Sequence, residues 1–499
     1  MTVSAAEVEP LLRALVAIPS VNPRDGEGDG GESAVARWVL DWLARRGIRA
    51  ALHEVLPGRC NVVAVVPGRE ASAVLLESHL DTVETDGMTV GPYDGRVRDG
   101  RLYGRGACDA KGPLAAFMLA AAELAEGEPP LHTVVLAGVC DEEHAYRGVL
   151  RLLADLEDLE DLPGVGTFVG AIVGEPTDLV PATAHKGVVR YTVRTTGRAG
   201  HSSRPAEAVN AVSLMAPVIA HLETTAPPPP AHPLLGTATR CVTRIRGGTG
   251  PNTVPGSCEV DVDRRTLPGE DPMEVWRQDR AELTALGGAP VAVDEPFTVD
   301  YALDTPPGSP VVAALCQALT DEGRPGAVQG MPFGTDASKL ARAGIPSVVF
   351  GPGSVTDAHS ADESVALTDV ALAARTITTT VRRLTQHIPG TTVAGTTDPG
   401  TTIPGATVPG TTTPGATVPG TTNPGTTIPG ATDPATTDPA TTTPGTTGPA
   451  TTTPGTTDPA TTTPGTTDPA TTTPGTTDPA TTTPAPDAPA RRESERPCD

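Results

Sequence analysis

Paired cysteines are missing from this chain. Seven cysteines stand at positions 60, 108, 140, 241, 258, 316 and 498, an odd count with no CxxC spacing. The pattern argues against a disulfide framework and suits free thiols in a reducing cytoplasm. Long apolar runs are missing too. No window approaches the roughly 18 uninterrupted apolar residues of a spanning helix, so no membrane span is expected. The stretch Met1-Thr2-Val3-Ser4-Ala5-Ala6-Glu7 has no basic region and no apolar block behind it, so a signal peptide is not expected. Positive charge is scarce. The net charge of the 499 residues is −24, which argues against a nucleic-acid partner. Lysine occurs only at Lys111, Lys186 and Lys339. The Arg-dominated basic set points to the codon bias of a GC-rich genome rather than to a salt-adapted acidic surface.

What is present is organised around Leu75 to Val83. An apolar strand, Val74-Leu75-Leu76, leads into His79 and Asp81, two residues apart and so on one face of extended chain. An imidazole beside a carboxylate can bind a metal through one ring nitrogen while the other is held by the acid.

The flanking pattern is that of an α/β protein. Ser4 with Glu7 forms a capping-box pattern, and Val8, Leu11, Leu12 and Leu15 predict a helix over 4–18. A second helix is expected over 32–46, with Val35, Trp38, Val39 and Trp42 inward. Strands are expected at 48–54, 61–66 and 73–77, a helix opening at Pro113, and strands at 132–139 and 168–173. The last two run into Cys140-Asp141-Glu142-Glu143 and Gly174-Glu175-Pro176-Thr177. Strands alternating with helices suggest a mostly parallel sheet, with ligands beyond the carboxyl ends of its strands.

From about residue 183 the pattern changes to β-α-β-β-α-β. Strands are expected near 189–193, 240–245, 257–265 and 291–294, and helices at 206–222 and 272–286, with a Pro-rich break at 227–230. The core pattern resumes with a helix over 310–322, a strand over 347–350 and a last helix over 368–387. The expected division is 1–182 and 297–387 for a catalytic domain, 183–296 for an inserted ferredoxin-like α+β domain, and 388–499 for a disordered tail. The tail repeats Pro-Gly-Thr-Thr and related units, with almost no large apolar residue to build a core. A tether, or neutral expansion of repetitive DNA, is the plain interpretation of the tail; a glycosylated stalk is the sharper one.

His79, Asp81, Asp109, Glu142, Glu143, Glu175 and His359 are the polar residues at strand and loop ends. Five of them can serve as ligands to two cations with a shared carboxylate. Two such ions about 3.5–4 Å apart would suit hydrolysis. Of the adjacent Glu142 and Glu143, one can bind metal and the other take a proton from water. Two buried anions side by side would otherwise repel.

These residues carry a resemblance to the M20 metallopeptidase family. The matching segments are Ser78-His79-Leu80-Asp81-Thr82-Val83, Tyr103 to Gly112, Asp141-Glu142-Glu143 and Gly174-Glu175-Pro176-Thr177. They continue with Gly200-His201-Ser202-Ser203, Pro251-Asn252-Thr253-Val254-Pro255, Gly334-Thr335-Asp336 and Ala358-His359. The agreement runs over about residues 5–387, and the repeat tail has no counterpart in it.

The resemblance implies one metal held by His79, Asp109 and Glu175, and another by Asp109, Glu143 and His359. Zinc is the metal it implies, two ions per subunit, with cobalt able to substitute. Asp81 would orient His79, and Glu142 would be the general base and later proton donor. The inserted domain would be a lid through which a homodimer forms. From it His201 would reach the partner subunit's site to stabilise an oxyanion. Asn252 and Arg265 would bind substrate, Arg265 by a bidentate grip on a carboxylate, and Gly334-Thr335-Asp336 and Gly351-Pro352-Gly353 would offer backbone donors. Cys108 fits a small buried residue better than a ligand. His53, His144 and His221 match no motif and are expected at the surface.

The implied activity is amide hydrolysis of a small N-acyl amino acid or short peptide, acetylornithine deacetylase-like first. Succinyl-diaminopimelate desuccinylase and dipeptidase or carboxypeptidase activities are the alternatives within the family. An alternative of another class is a catalytically silent binding or surface protein with a Thr/Pro stalk.

Overall fold

The computed structural model describes residues 3–24, 31–157, 165–225, 231–286 and 290–384. The expected repeat tail, the Pro-rich break at 227–230 and Cys498 lie outside the described residues.

A nine-stranded mixed sheet forms the centre of the larger α/β layer among the described residues. Its middle strands, His132–Val139, Glu70–His79, Phe168–Val173 and Ser347–Val349, run parallel. One flank is an antiparallel pair, Arg49–Leu56 with Arg59–Val66. The other flank begins with Ala182–His185, antiparallel to Ser347–Val349. The sheet is therefore mixed: parallel through its middle, and parallel again only where Gln329–Met331 pairs with Ala182–His185. The middle is buried on both faces, which is why its strands carry near-continuous apolar runs. Successive side chains still divide between the faces. Val62, Ala64, Val66, Val74 and Leu76 belong to one apolar cluster, and Val63, Val65, Ala73 and Leu75 to another. The period of two fixes the register, because a one-residue slip would exchange the two sets.

The first cluster is covered by Ala5–Val16, Glu32–Ala44, Lys111–Glu126, Pro310–Asp321 and Leu367–Arg383. Lys111–Glu126 is apolar nearly all round and buried along most of its length, as a helix enclosed by others should be. It starts two residues before the expected Pro113. In the first helix the Glu7 carboxylate accepts from the Ser4 amide at 2.9 Å and from Ser4 Oγ at 2.8 Å. The second cluster is covered by Arg147–Glu157 and Ala337–Arg342. Because the middle strands are parallel, their carboxyl ends share one edge, and that edge carries His79, the 140–143 segment and Glu175.

The second α+β layer has Gly187–Thr196, Thr239–Gly247, Ser257–Thr266 and Val291–Val293 as an antiparallel sheet, with Gly187–Thr196 and Ser257–Thr266 inside. Helices Ala211–Thr224 and Pro272–Ala285 cover one face through Met215, Val218, Leu222, Trp276 and Leu283. This is the ferredoxin-like strand order, with Thr298–Asp300 added on Gly187–Thr196. The helix expected from 206 starts at Ala211 instead. Asn210 Oδ1 accepts from the amides of Val212 and Ser213 at 2.9 and 3.2 Å, a strong N-cap. Residues 205–207 form only a short 3-10 turn.

None of the three histidines expected at the surface is fully exposed: His144 is partly covered, and the other two have carboxylate partners. His53 is buried, with Nδ1 3.1 Å from Asp155 Oδ2. His221 is partly covered, with Nε2 2.6 Å from Glu282 Oε1. Each has found a carboxylate on a neighbouring helix, a partner that no local pattern reveals.

Candidate metal centre

His79 ends its strand with the ring 2% exposed, and Nε2 lies 3.0 Å from Asp109 Oδ1 and 3.9 Å from Glu175 Oε1. On the other side of Asp109, His359 Nε2 lies 3.3 Å from Asp109 Oδ2 and 2.9 Å from Glu143 Oε1. The five residues thus form two groups, His79–Asp109–Glu175 and Asp109–Glu143–His359, in each of which the ligand atoms lie within 4.8 Å of one another. Asp109 belongs to both and presents one oxygen to each histidine.

Local structure holds each group in place. The amides of Cys108 and Asp109 donate to Glu363 Oε1 at 2.9 and 3.1 Å, and Glu363 Oε2 takes the Arg105 guanidinium at 2.6 Å. The amides of Glu142 and Glu143 donate to Asp81 Oδ1 and Oδ2 at 3.2 and 3.0 Å. Asp141, just before them, has φ +70°, and His359 has φ +58°, left-handed conformations that non-glycine residues adopt at a cost. For His79 Nδ1 the nearer acceptor is the Asp81 carbonyl at 3.0 Å, with the Asp81 carboxylate at 3.6 Å. The Asp81 side chain is therefore spent on the 142–143 amides and on Asn22 Nδ2 rather than on His79.

The electrostatics are those of a site rich in anions. Burial pushes Glu142, Glu143 and Glu175 up, and neighbouring carboxylates add to that against the opposing imidazoles. Asp109 is the exception: burial works upward, but hydrogen bonds with His359 and His79 hold it below the usual carboxylate range. His359 is raised to about 10, chiefly by its bonds to Asp109 and Glu143. Burial alone would lower His79, but Asp109, Asp81 and the nearby glutamates raise it overall. Positive charge is in demand at both histidines, and divalent ions would meet that demand. The donors are imidazole nitrogens and carboxylate oxygens without thiolate, a set that suits zinc or cobalt. Cys108 is buried, and its Sγ contacts the Ser354 carbonyl at 3.4 Å.

The remaining candidates sit apart. His201 lies in a two-stranded ribbon, Gly200–His201 against Thr253–Val254, and Asn252 just precedes the second strand, its carbonyl accepting from the Ser202 amide at 2.9 Å. Both are exposed, and neither has a described contact with the five ligands. Arg265 points away from Arg264 across Ser257–Thr266, as the alternation requires, and its guanidinium is on Asp263 at 2.7 and 3.2 Å. Thr335 is buried, and its Oγ1 accepts from the Ala337 amide at 3.3 Å. Gly334 lies so close to Asp300 that a Cβ there would meet Asp300 Oδ2 at 2.1 Å.

Sequence reasoning assigned no role to Glu363, Glu77 or Asn22, and to Asp336 only a backbone one. Glu363 lies four residues past His359, and Glu77 two before His79. Those offsets were the available signal, because each is a buried carboxylate beside a ligand. Asp336 is raised to about 7, burial being the main cause and Lys339 opposing it.

Paired ligand groups at the carboxyl edge of parallel strands define a metal-dependent hydrolase of the α/β class. More particularly, the chain belongs to peptidase family M20/M25/M40, whose pattern matches residues 75–383. It is 31% identical over 383 residues to an acetylornithine deacetylase from Edwardsiella ictaluri, covering 74% of this chain and 95% of that one. Among solved structures, a tripeptidase from Staphylococcus aureus superposes with a TM-score of 0.63 at 19% identity, covering 77% of this chain and 99% of that one. An M20 family metallo-carboxypeptidase from Sulfolobus solfataricus gives 0.61 at 18% identity, covering 76% and 99%. The chain is a metal-dependent amidohydrolase, as its motifs implied. No described helix is long and apolar enough to cross a membrane.

Proposed function

We propose that this amidohydrolase deacylates a small N-acyl amino acid, with acetylornithine-like substrates first. The observation that carries the proposal is Asp109 between His79 and His359, one carboxylate oxygen toward each ring. Two divalent ions, zinc or cobalt, held by His79–Asp109–Glu175 and Asp109–Glu143–His359 would supply Lewis acidity and a more acidic attacking water. Glu142, beside the ligand Glu143, takes the water's proton and returns it to the departing nitrogen. Asp81 fixes the pair through their amides and supports His79. In the proposed roles, Asn252 and Arg265 recognise the substrate, and Gly334 and Thr335 shape its pocket. Arg265 would have to exchange its Asp263 partner for the substrate carboxylate.

The proposed domains are 1–182 with 297–387 as the catalytic part and 183–296 as a lid; the sheets shift both cuts by a few residues, because Ala182–His185 belongs to the large sheet and Thr298–Asp300 to the second. A homodimer through the lid is supported by two features of the second sheet. The outer face of Ala211–Thr224 exposes Val212, Ala216, Pro217 and Ala220. Strand Thr239–Gly247 is an edge with its outer side unpaired among the described residues. His201 suits the oxyanion role, because its Nδ1 accepts from the Ser203 amide at 3.2 Å. Nε2 then carries the proton and can donate it. Buried free thiols at Cys108, Cys140 and Cys258 support a cytoplasmic setting.

Purified protein loaded with zinc or cobalt, assayed on N-acetyl and N-succinyl amino acids and on dipeptides, tests the proposal. Fastest turnover of N-acetyl amino acids is expected. Preference for N-succinyl substrates or peptides would move it to a sister activity. Two bound ions with no amidase activity would favour the silent binding protein.

A further inference from the structure

Behind the Asp141–Glu143 segment, side chains from distant parts of the chain meet in a buried network. Asp81 receives the amides of Glu142 and Glu143. Asp141 receives the Arg59 guanidinium at 2.9 Å as well as Arg147. The Asp141 amide donates to Glu32 Oε1 at 3.0 Å, and Glu32 is itself paired with Arg59. One neutral side chain joins the two aspartates. Asn22 Nδ2 lies 2.7 Å from Asp81 Oδ2 and 3.1 Å from Asp141 Oδ1.

The geometry points to Asn22 as a positioning residue that holds the Asp141–Glu143 segment in working register. Its orientation is determined, because Asn22 Oδ1 accepts from the Arg24 amide at 2.6 Å. The amide nitrogen must therefore face the acids and spend one hydrogen on each. Its backbone is placed just as firmly. The Asn22 amide donates to the Thr82 carbonyl, and the Thr82 amide to the Ser20 carbonyl, both at 2.9 Å. Asn22 is 7% exposed, and Asp81 and Asp141 are fully buried, so water cannot replace its two donors cheaply.

Arginine charge reaches Asp141 but makes no contact with Asp81 among the described bonds. Asn22 is the link by which the acid under the 142–143 amides is tied to the arginine-held Asp141. Its own substrate contact is not required. Its effect passes through Asp81 to two amides, and from them to the base and the ligand. A displacement of about 1 Å at such a segment can cost on the order of a hundredfold in rate.

The inference rests on the proposed roles of Glu142 and Glu143, so the test has one arm that needs no substrate. Asn22→Asp keeps the shape but removes the donors and adds an anion; Asn22→Ser keeps a single short donor. For Asn22→Asp, kcat should fall about 10–100-fold, as for lost supporting residues at metal sites, with KM changed less than about threefold. Amide exchange measured by mass spectrometry should rise in the peptide around 140–146 while the strands stay protected. Asn22→Ser should fall between Asn22→Asp and wild type on both measures. Unchanged exchange at 140–146 in both variants would overturn the inference, whether or not the protein proves to be an amidase. So would a rise in exchange spread evenly over the chain, which would mark Asn22 as a merely structural residue. If the wild-type protein deacylates nothing but the exchange result holds, the proposed reaction fails and the positioning role stands.

Discussion

Asp109 and Glu142 have opposite dependences on the metals. Asp109 shares its two oxygens between the ligand groups, so Asp109→Asn removes a charge and half the bridge from both. Metal content by plasma mass spectrometry should fall below two ions per chain, and activity with it. Glu142→Gln keeps the volume and removes only the basic oxygen. Its kcat should drop about 10²–10⁴-fold, the usual worth of a positioned base, while both ions remain. Loss of the ions in Glu142→Gln would place this side chain among the ligands instead. The five candidate ligands were legible in the sequence because metal binding restricts residue type to His, Asp, Glu or Cys, and because the resemblance to the M20 family singled out these five among the polar residues at strand and loop ends. Glu363 and Asn22 were not legible, because they act on backbone amides or on other acids, and many residue types at many offsets can do that.

Elements differ in legibility for a related reason. His132–Val139 and Phe168–Val173 were read at their observed limits, because burial on both faces demands an unbroken apolar run. Strands of two to four residues, such as Ala182–His185, Leu303–Asp304 and Gln329–Met331, are too short to show a period. Helix Arg147–Glu157 does carry a period: buried Val149, Leu152 and Leu156 stand at intervals of three and four. The parallel strands also set how much one core residue matters. Leu75 is fully buried between neighbouring parallel strands on the face covered by Arg147–Glu157. Leu75→Ala should destabilise the chain by about 2–5 kcal/mol in urea unfolding, the cost of a cavity in a packed core. Asn210→Ala should cost about 0.5–2 kcal/mol, because it removes a helix cap from the second sheet and no core volume. A larger loss for Asn210→Ala than for Leu75→Ala would contradict the packing described here.

At the scale of the whole molecule, the second sheet leaves an exposed apolar helix face and an edge strand unpaired among the described residues, and His201 has no described contact with the residues it is proposed to serve. A second copy of the chain would answer both. Ala216→Asp places a charge in the exposed apolar face of Ala211–Thr224, at a residue that is not among the buried ones of that helix. Light scattering should then report the monomer mass with an unchanged melt, and activity should fall with dimer content. The stronger test separates base from oxyanion donor. His201→Ala should lose about 10²–10³ in kcat, the usual worth of one oxyanion donor. Glu142→Gln should be inactive for the reason given above. If His201 acts across the dimer, unfolding the two variants together and refolding them yields mixed dimers in which one site has both groups intact. With random pairing that is about a quarter of the wild-type sites, and activity should recover to about that level. No recovery, with mixed dimers demonstrated by mass, would return His201 to its own subunit or remove it from the reaction.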